Sequence, residues 1–354
     1  MHKKKYFFNQ SLKNLNTFRI DVTAKKIIFI TTITSLIYIL QTCKLSRIPY
    51  IILGEGSNVL FLKNYIGIII INRIKGIKII EQKNAWLLHV HSGEKWHNLV
   101  KYTLNLGILG LENLALIPGC IGSAAIQNIG AYGLEFKDLC QYVDVISFKK
   151  SITYTNPSTK RIYSHSCNFS YRNSIFKDPC HSESAIIAVG IKISKKWHPI
   201  IFPSLKNYIQ PKCITAHKIF NIICKIRIKK LPDPKKIGNA GSFFKNPIIT
   251  QQHAKKLISL YNLPHYPQLK GLVKISGGWL IENSKYKNIK IGDAAIHDKN
   301  KLILININRA TSQEILQIAK IIHAHILKKF HIWLEPEVDF IGSQKKIKAS
   351  DIFT

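Results

Sequence analysis

The stretch GNAGSFFKNP, Gly238 to Pro247, sets one hydroxyl, Ser242, between a small-residue turn and two phenylalanines. A plain hairpin accounts for that pattern. So does a turn that lets backbone approach a bound ring while Ser242 faces it, and the segment alone leaves both open. In NFSYRNSIFK, Arg172 stands between Tyr171 and Asn173 with aromatics on either side. An arginine packed on a ring is the ordinary reading, yet a planar guanidinium so placed also suits a carboxylate, which accepts two parallel hydrogen bonds from it. WLEPEVDF puts Glu335 and Glu337 two apart, on one face of a strand. Two like charges there are unfavourable unless one is paired or exposed. Lys230 lies shortly before Ser242. No nucleophile elbow, HExxH motif or glycosidase-type acid pair occurs.

Two glycine-rich segments could receive a phosphate. LGEGSNVLF, Leu53 to Phe61, is a strand followed by a turn. It lacks the third glycine of a dinucleotide fingerprint and the Lys-Ser/Thr of a P-loop. It is either a tight turn or a nest of N–H groups that gathers an anion. Glu112 to Gly133 carries Gly119, Gly122, Gly130 and Gly133 with Ser123 and Ala124, a long run of minimal bulk. Such a run costs conformational entropy with little packing in return, and the close approach of an extended ligand would offset that cost. Two such loops following strands in one half suggest a dinucleotide with its pyrophosphate between them. His89 and His91 alternate on a strand without a third ligand at metal spacing, so no metal site is expected. His323 and His325 lie on an amphipathic helix, facing solvent or packed.

The elements that must position these groups alternate in an α+β pattern. Strands are expected near Ile27–Ile30, at YIILG, IGIIIIN and WLLHVHSGE, at Cys140–Phe148 and at SAIIAVGIKIS. Helices are expected around Ser35–Cys43 and over KWHNLVKYTLNLG, closed by Gly107. Lys195 to Pro211 is a polar interval and reads as a boundary. Beyond it TAHKIFNIICKIRIKK is helical until the prolines of LPDP stop it. Helices at TQQHAKKLISLYN, GGWLIEN and SQEILQIAKIIHAHILKKF, strands at IGDAAIH and KLILINI, and a closing HIWLEPEVDFIG complete the chain.

At 354 residues, with 46% hydrophobic and 10% aromatic content, the chain holds two or three globular domains. MHKKKYFFNQ reads as a dispensable polar arm. The net charge of +33 is spread over nearly every segment, alongside inflated Ile and Asn. That is the product of AT-rich coding drift, whereas a nucleic-acid binder concentrates its charge on one face. The field still helps to attract a polyphosphate. Seven cysteines without a CxxC argue for a reducing compartment, with neither disulfide framework nor zinc ribbon. No secretory signal is visible, and the apolar run Ile27–Cys43 falls short of a membrane span. A cytoplasmic protein is expected.

NTF (Asn16–Phe18), ILGEGSNVLF, NRIKGI, GLENLALIPGCIGSAAIQNIGAYG, YRNSIFK, KLPDP, GNAGSFFKNP, GGWLIE and WLEPEV occur in that order. From about Ser11 to Ile341 the chain closely resembles the UDP-N-acetylenolpyruvoylglucosamine reductases, flavoenzymes of peptidoglycan precursor synthesis. The resemblance implies an FAD-binding domain of the vanillyl-alcohol-oxidase type over 12–196 and an α+β substrate-binding domain over 212–341. It implies FAD as cofactor, NADPH as reductant, an enolpyruvyl ether of UDP-N-acetylglucosamine as substrate, and a monomer with no specific nucleic acid or membrane partner. Carried over by position, Ser242 is the proton donor, with Arg172 and Glu337 as the other catalytic residues. Glu337 would be protonated and donate to the enolate, or hold Arg172 or a water in place. Gly54, Glu55, Gly56, Ser57, Asn58, Gly119, Gly122, Ser123 and Gly130 fall in flavin-binding segments. Lys230, Asn246, Asn300 and Phe202 fall at substrate contacts. Phe202 stands where a lid tyrosine is expected and Asn300 where a glutamine is usual. Asp293 replaces a common glycine and reads as a relaxed surface position.

Overall fold

The structure is a computed structural model that describes residues 6–147, 158–178, 184–208 and 214–353; Cys180, Cys213 and Phe148 lie outside these ranges, as does part of the expected boundary interval. The chain opens with β1 (Tyr6–Ser11), β2 (Thr23–Ile30), α1 (Ile33–Leu45), β3 (Tyr50–Leu53), β4 (Val59–Phe61) and β5 (Tyr65–Asn72). It continues with β6 (Ile77–Glu81), β7 (Ala85–His91), α2 (Trp96–Asn105), α3 (Ile121–Gln127), β8 (Gly130–Ala131), β9 (Leu134–Glu135), β10 (Cys140–Ser147), β11 (Ser158–Tyr163) and β12 (Ala185–Ser194). There follow α4 (Ala216–Lys230), β13 (Gly238–Asn239), β14 (Ile248–Thr250), α5 (Gln251–Tyr261), β15 (His265–Pro267), β16 (Leu272–Ile275) and α6 (Gly277–Glu282). The last are β17 (Lys290–Ile291), β18 (Ala294–Ile296), β19 (Leu304–Asn306), α7 (Ser312–Phe330), β20 (Asp339–Ile341), β21 (Lys346–Ile347) and α8 (Ser350–Phe353).

Two compact units emerge. One gathers residues 1–8, 26–55 and 67–229, the other 9–25, 56–66 and 230–354. The first contains a sheet ordered β11-β10-β12-β7-β6, and β1-β2-β5-β3 form a second sheet that lies mostly within it. Strand β12 is buried over its first seven residues, the apolar run expected of a strand covered on both faces. One side packs Leu88, Val90, Val143, Val189 and Ile191 with Leu99 and Val100 of α2, Ala124 and Ala125 of α3, and Ile219, Ile223 and Ile226 of α4. A separate cluster joins Ile146, Ala185 and Ile187 to Ile28 and Ile30 of β2, Leu36 and Leu40 of α1, and Ile70 of β5. Each of the Val, Leu and Ile side chains among them contributes roughly 1.5–3 kcal/mol when fully buried.

Three expectations are corrected here. The N-terminal arm is not a loose arm from Tyr6 onward. It forms edge strand β1 beside β2, where the Lys26 ammonium lies 4.6 Å from the Tyr6 ring centroid and Phe7 meets Phe29 edge-on. The division at 196 and 212 puts α4 in the second part, yet its buried isoleucines lie in the core of the first unit. The glycine segment 112–133 is no loose loop: it contains α3, whose small residues serve packing. A Cβ on Gly122 would come within 3.0 Å of the Ser92 Cβ.

The second unit holds β13-β19-β18-β17, the three-stranded β14-β16-β15, and β21-β20-β4, in which β4 runs parallel to β20 with Val59 opposite Asp339. Helix α7 starts at a reciprocal cap. Thr311 Oγ1 accepts the Glu314 N–H at 3.2 Å, and the Glu314 carboxylate accepts the Thr311 N–H at 2.9 Å. The helix ends at His331, whose φ of 54° is left-handed. Its buried stripe, Ile315, Ile318, Ala319, Ile322, Ile326 and Phe330, packs with Phe243, Phe244 and Phe340.

Candidate active site

The Ser242 turn is built from its neighbours. Gly238 lies so near residue 18 that an added Cβ would stand 2.4 Å from the Phe18 carbonyl oxygen, and the Asn239 N–H donates to the Thr17 carbonyl at 2.9 Å. The Asn239 side chain spans the turn: Oδ1 accepts the Gly241 N–H at 3.0 Å, and Nδ2 donates to the carbonyls of Ile237 and Pro232. Gly241 has φ 71°, and the space where its side chain would stand is open. Phe243 and Phe244 are fully buried and meet edge-on at 4.9 Å, anchoring the turn from below. Ser242 between them and the open side is half-buried. Its hydroxyl makes no hydrogen bond with any described residue.

The segment carrying Glu337 lies alongside. The Glu337 N–H donates to the Phe243 carbonyl at 2.8 Å, Phe244 bridges Pro336, and the Lys245 N–H donates to Glu335 at 2.9 Å. Glu335 and Glu337 share a side, as the spacing predicts, but not as competing charges: Lys245 takes Glu335 in an ion pair at 2.6 Å. The Asn58 amide donates to the Glu337 carbonyl at 3.0 Å, and Asp339 returns an N–H to Asn58. Asn58, expected at the flavin, therefore has its Nδ2 engaged in holding the Glu337 segment.

Arg172 belongs to the first unit. Ser170 and Asn173 exchange both backbone hydrogen bonds, closing a two-residue turn over Tyr171 and Arg172, and Arg172 sits at φ 54°. For a residue with a Cβ that geometry stores about 1–3 kcal/mol. The turn is tied to the end of α3: Asn128 Nδ2 donates to Ser170 at 2.9 Å, and Ser174 Oγ to Ile126 at 2.8 Å. The guanidinium donates from Nη2 to the Gly130 carbonyl at 3.2 Å and stands over the Tyr171 ring at 5.6 Å.

Gly54 faces Cys120, whose Sγ would lie 3.0 Å from an added Cβ. Arg73 donates to the Gly54 carbonyl at 2.7 Å. The amides here form no simple anion nest. The Gly119 N–H is taken by the Glu55 carboxylate at 2.9 Å, which is also paired with Lys95, and Ser123 Oγ caps its own helix at the Cys120 N–H. Gly56, at φ 61°, passes under Leu15, where a Cβ would strike the Leu15 carbonyl oxygen. No described residue hydrogen-bonds the Ser57 side chain. Among the expected substrate contacts, Asn246 Oδ1 accepts the Gly277 N–H at 2.9 Å at the start of α6, and Asn300 Oδ1 accepts the Leu302 N–H at 3.2 Å. Lys230 is exposed at the end of α4. Phe202 lies edge-on to Tyr132 at 6.5 Å. Asp293 is no relaxed position: its carboxylate accepts the Arg309 N–H at 3.1 Å and the Asn308 amide at 3.4 Å.

Several polar groups escaped the sequence reading. Gln127 Oε1 and Arg227 Nε are buried without a partner among the described residues. One is an acceptor and one a donor, both in the first unit. A flavin ring offers N–H and carbonyl groups that match such a pair, so the residues present fit FAD. Gln127 lies inside the glycine-rich motif, where nothing about its residue type marks it, and Arg227 belongs to none of the motifs.

The histidines split. His89 Nδ1 meets the Tyr142 hydroxyl at 2.9 Å beside Asp144, which is bound bidentately by Arg161, and no metal-ligand cluster occurs among the described residues. His323 is packed: it is 3% exposed, with Nδ1 on the Leu334 carbonyl and its ring against Trp333 and Phe353. Burial pushes its pKa below the ordinary 6.5, against the raising effect of that hydrogen bond. The unfolded chain therefore binds this proton more readily than the native one. Stability contributed by neutral His323 is complete above pH 6.5 and is lost as pH falls through that value toward the depressed native one. Urea unfolding between pH 7.5 and 5 should show this loss, and His323→Gln should flatten it. An unchanged slope would refute the assignment.

Residues 24–151 match the family described as FAD binding domain, and residues 233–341 match the UDP-N-acetylenolpyruvoylglucosamine reductase C-terminal domain. A UDP-N-acetylenolpyruvoylglucosamine reductase of Buchnera aphidicola subsp. Acyrthosiphon pisum is 74% identical over 353 residues, 100% of this chain and 98% of that protein. The enzyme of that name from Escherichia coli K12 is 46% identical over 342 residues, 96% and 98% of the two chains. The crystal structure of a reductase of this name from Thermus caldophilus superposes with a TM-score of 0.63 at 20% identity, covering 96% and 99%. That last likeness concerns the fold.

Proposed function

The chain belongs to the UDP-N-acetylenolpyruvoylglucosamine reductase family, and from that premise we propose that Ser242, Arg172 and Glu337 are its catalytic residues. The protein is an FAD-dependent oxidoreductase that uses NADPH to reduce the enolpyruvyl ether of UDP-N-acetylglucosamine to UDP-N-acetylmuramate for peptidoglycan synthesis. Its fold is α+β, an oxidase-type FAD-binding domain followed by the family's C-terminal domain. Among the described residues no helix is long and apolar enough to cross a membrane. A cytoplasmic monomer is part of the proposal.

When bound in the first unit, FAD would supply the hydride, drawn from NADPH, for the terminal β carbon of the substrate double bond. What remains is the work of this chain. Negative charge develops at the α carbon and spreads into the carboxylate, and stabilising it governs the rate. The planar Arg172 fork binds that carboxylate, with Lys230 as a second cation. The Ser242 O–H bond then breaks, its proton forming the new C–H bond at the α carbon. A hydroxyl is a weak acid, so its proton must be resupplied. Glu337, fixed at both its N–H and its C=O, holds the water that returns one. Gly54–Asn58, Gly119, Gly122, Ser123 and Gly130 line the flavin segments. Asn246, Asn300 and Phe202 contact the substrate, Phe202 closing over it without the hydrogen bond of a tyrosine.

The observation that carries this reading is the Ser242 hydroxyl. It follows a left-handed glycine with open space beside it, rests on two buried rings, and finds no partner among the described residues. Purified protein should show the absorbance bands of oxidised flavin, bleached by NADPH and restored by substrate without oxygen. A colourless folded preparation that FAD does not reconstitute would overturn the reading.

A further inference from the structure

The turn that presents Arg172 holds a costly backbone conformation at a residue ill suited to it. Of the two central residues, φ is positive at Arg172 and not at Tyr171, the pattern of a type II turn, whose second central position prefers glycine or asparagine. Asn168, left-handed at φ 45° in the same segment, is a residue type that tolerates the conformation; Arg172, at φ 54°, is not. Such a residue persists only where its surroundings over-determine it. The Ser170–Asn173 pairing closes the turn, but neither of its bonds uses the Arg172 carbonyl.

Lys177 supplies the donor for that carbonyl. Its ammonium donates to the Arg172 oxygen at 2.9 Å, and a hydrogen bond from a charged donor is among the stronger ones. The lysine is half-buried and anchored from behind. Its own N–H donates to the Ser174 carbonyl at 3.1 Å and the Ile175 N–H to the Cys167 carbonyl at 3.0 Å, and Ser174 is buried with Oγ on Ile126 of α3. The Arg172 backbone is thus fixed from the Lys177 side, and the guanidinium rests on the Gly130 carbonyl just past α3. A small rotation of that backbone would carry the tip of so long a side chain far from its place.

We propose that Lys177 is a positioning residue of the reduction: by holding the Arg172 carbonyl it keeps the guanidinium where the substrate carboxylate is received. This rests on the catalytic reading of Arg172 above. The ammonium acts through the Arg172 backbone and not on the substrate, so it matters only in the step where Arg172 works.

The test compares wild-type, Lys177→Met, Lys177→Arg and Arg172→Gly holoenzymes, and the double variant Arg172→Gly with Lys177→Met, by anaerobic rapid mixing. Lys177→Met should bleach with NADPH at the wild-type rate, and its reoxidation by the enolpyruvyl ether should slow by about 10–10²-fold, the cost of slightly misplacing a catalytic group. Lys177→Arg keeps a charged donor and should recover part of that loss. On the Arg172→Gly background the strain and the guanidinium are both gone, so adding Lys177→Met should change reoxidation by less than about twofold. Equal slowing of both phases would make the lysine structural, and a full further loss on the Arg172→Gly background would make it an independent cation; either overturns the proposal. Should Lys177→Met not fold, Lys177→Gln takes its place under the same criteria. If neither folds, the lysine builds the turn rather than aiming it, and the proposal fails. An Arg172→Gly enzyme with unimpaired reoxidation removes Arg172 from the chemistry and Lys177 with it. An impaired Arg172→Gly beside an unimpaired Lys177→Met leaves Arg172 in its role and rejects the positioning role alone.

Discussion

Ser242→Ala should lower turnover by about 10²–10⁴-fold, the usual contribution of a positioned proton donor, while substrate KM changes little. The magnitude follows from what the hydroxyl does not do. It holds no hydrogen bond with any described residue, so its removal leaves no donor or acceptor stranded among them. The turn is secured by other groups: Asn239 across it, Phe243 and Phe244 beneath it, and the Phe244–Pro336 bridge beside it. Melting should stay within about 0.5 kcal/mol of wild type, the range of substitutions that remove no structural feature. A variant that loses stability in proportion to its activity would show that the serine holds the turn instead.

Arg172→Gly should abolish most activity, by about 10²–10³-fold for loss of one preorganised anion ligand, and still fold. Arg172 occupies a left-handed conformation that favours glycine. Relief of about 1–3 kcal/mol of backbone strain offsets the lost bond to Gly130, worth about 1 kcal/mol, and the added unfolded-state freedom, about 0.4–1 kcal/mol. Net stability should lie within about 1 kcal/mol of wild type. Arg172→Ala keeps the strain, loses the bond, and should be the less stable of the two. Urea unfolding beside turnover assays checks both. A fully active Arg172→Gly enzyme would remove Arg172 from the chemistry, and an unfolded one would make it structural.

The elements were legible because their signals are local. Thr311 with Glu314 announces α7, the prolines of LPDP end α4, and alternation marks β7. What sequence left closed were choices decided by distant partners. Nothing in IGSAAIQ says that its small residues pack against Ser92 rather than open a cradle. Nothing in TAHKIFNIICKIRIKK says which core receives Ile219 and Ile223. The site shows the same divide. The Ser242 turn and the Glu335–Glu337 spacing stand in motifs, and their meeting across Phe243 and Pro336 is a backbone pairing between segments far apart in sequence. Asn58 shows how a motif residue can serve another purpose: it lies in a glycine turn that resembles a flavin segment, and its amide grips the Glu337 carbonyl.

The most direct test separates the two half-reactions of Ser242→Ala by anaerobic rapid mixing. Bleaching of the flavin by NADPH should proceed at the wild-type rate, because no substrate proton moves in it. Recovery of the oxidised spectrum on mixing the reduced enzyme with the enolpyruvyl ether should be slower by at least about 10²-fold. Equal slowing of both, or an unimpaired second phase, would contradict the assignment of Ser242 as the group that delivers the proton.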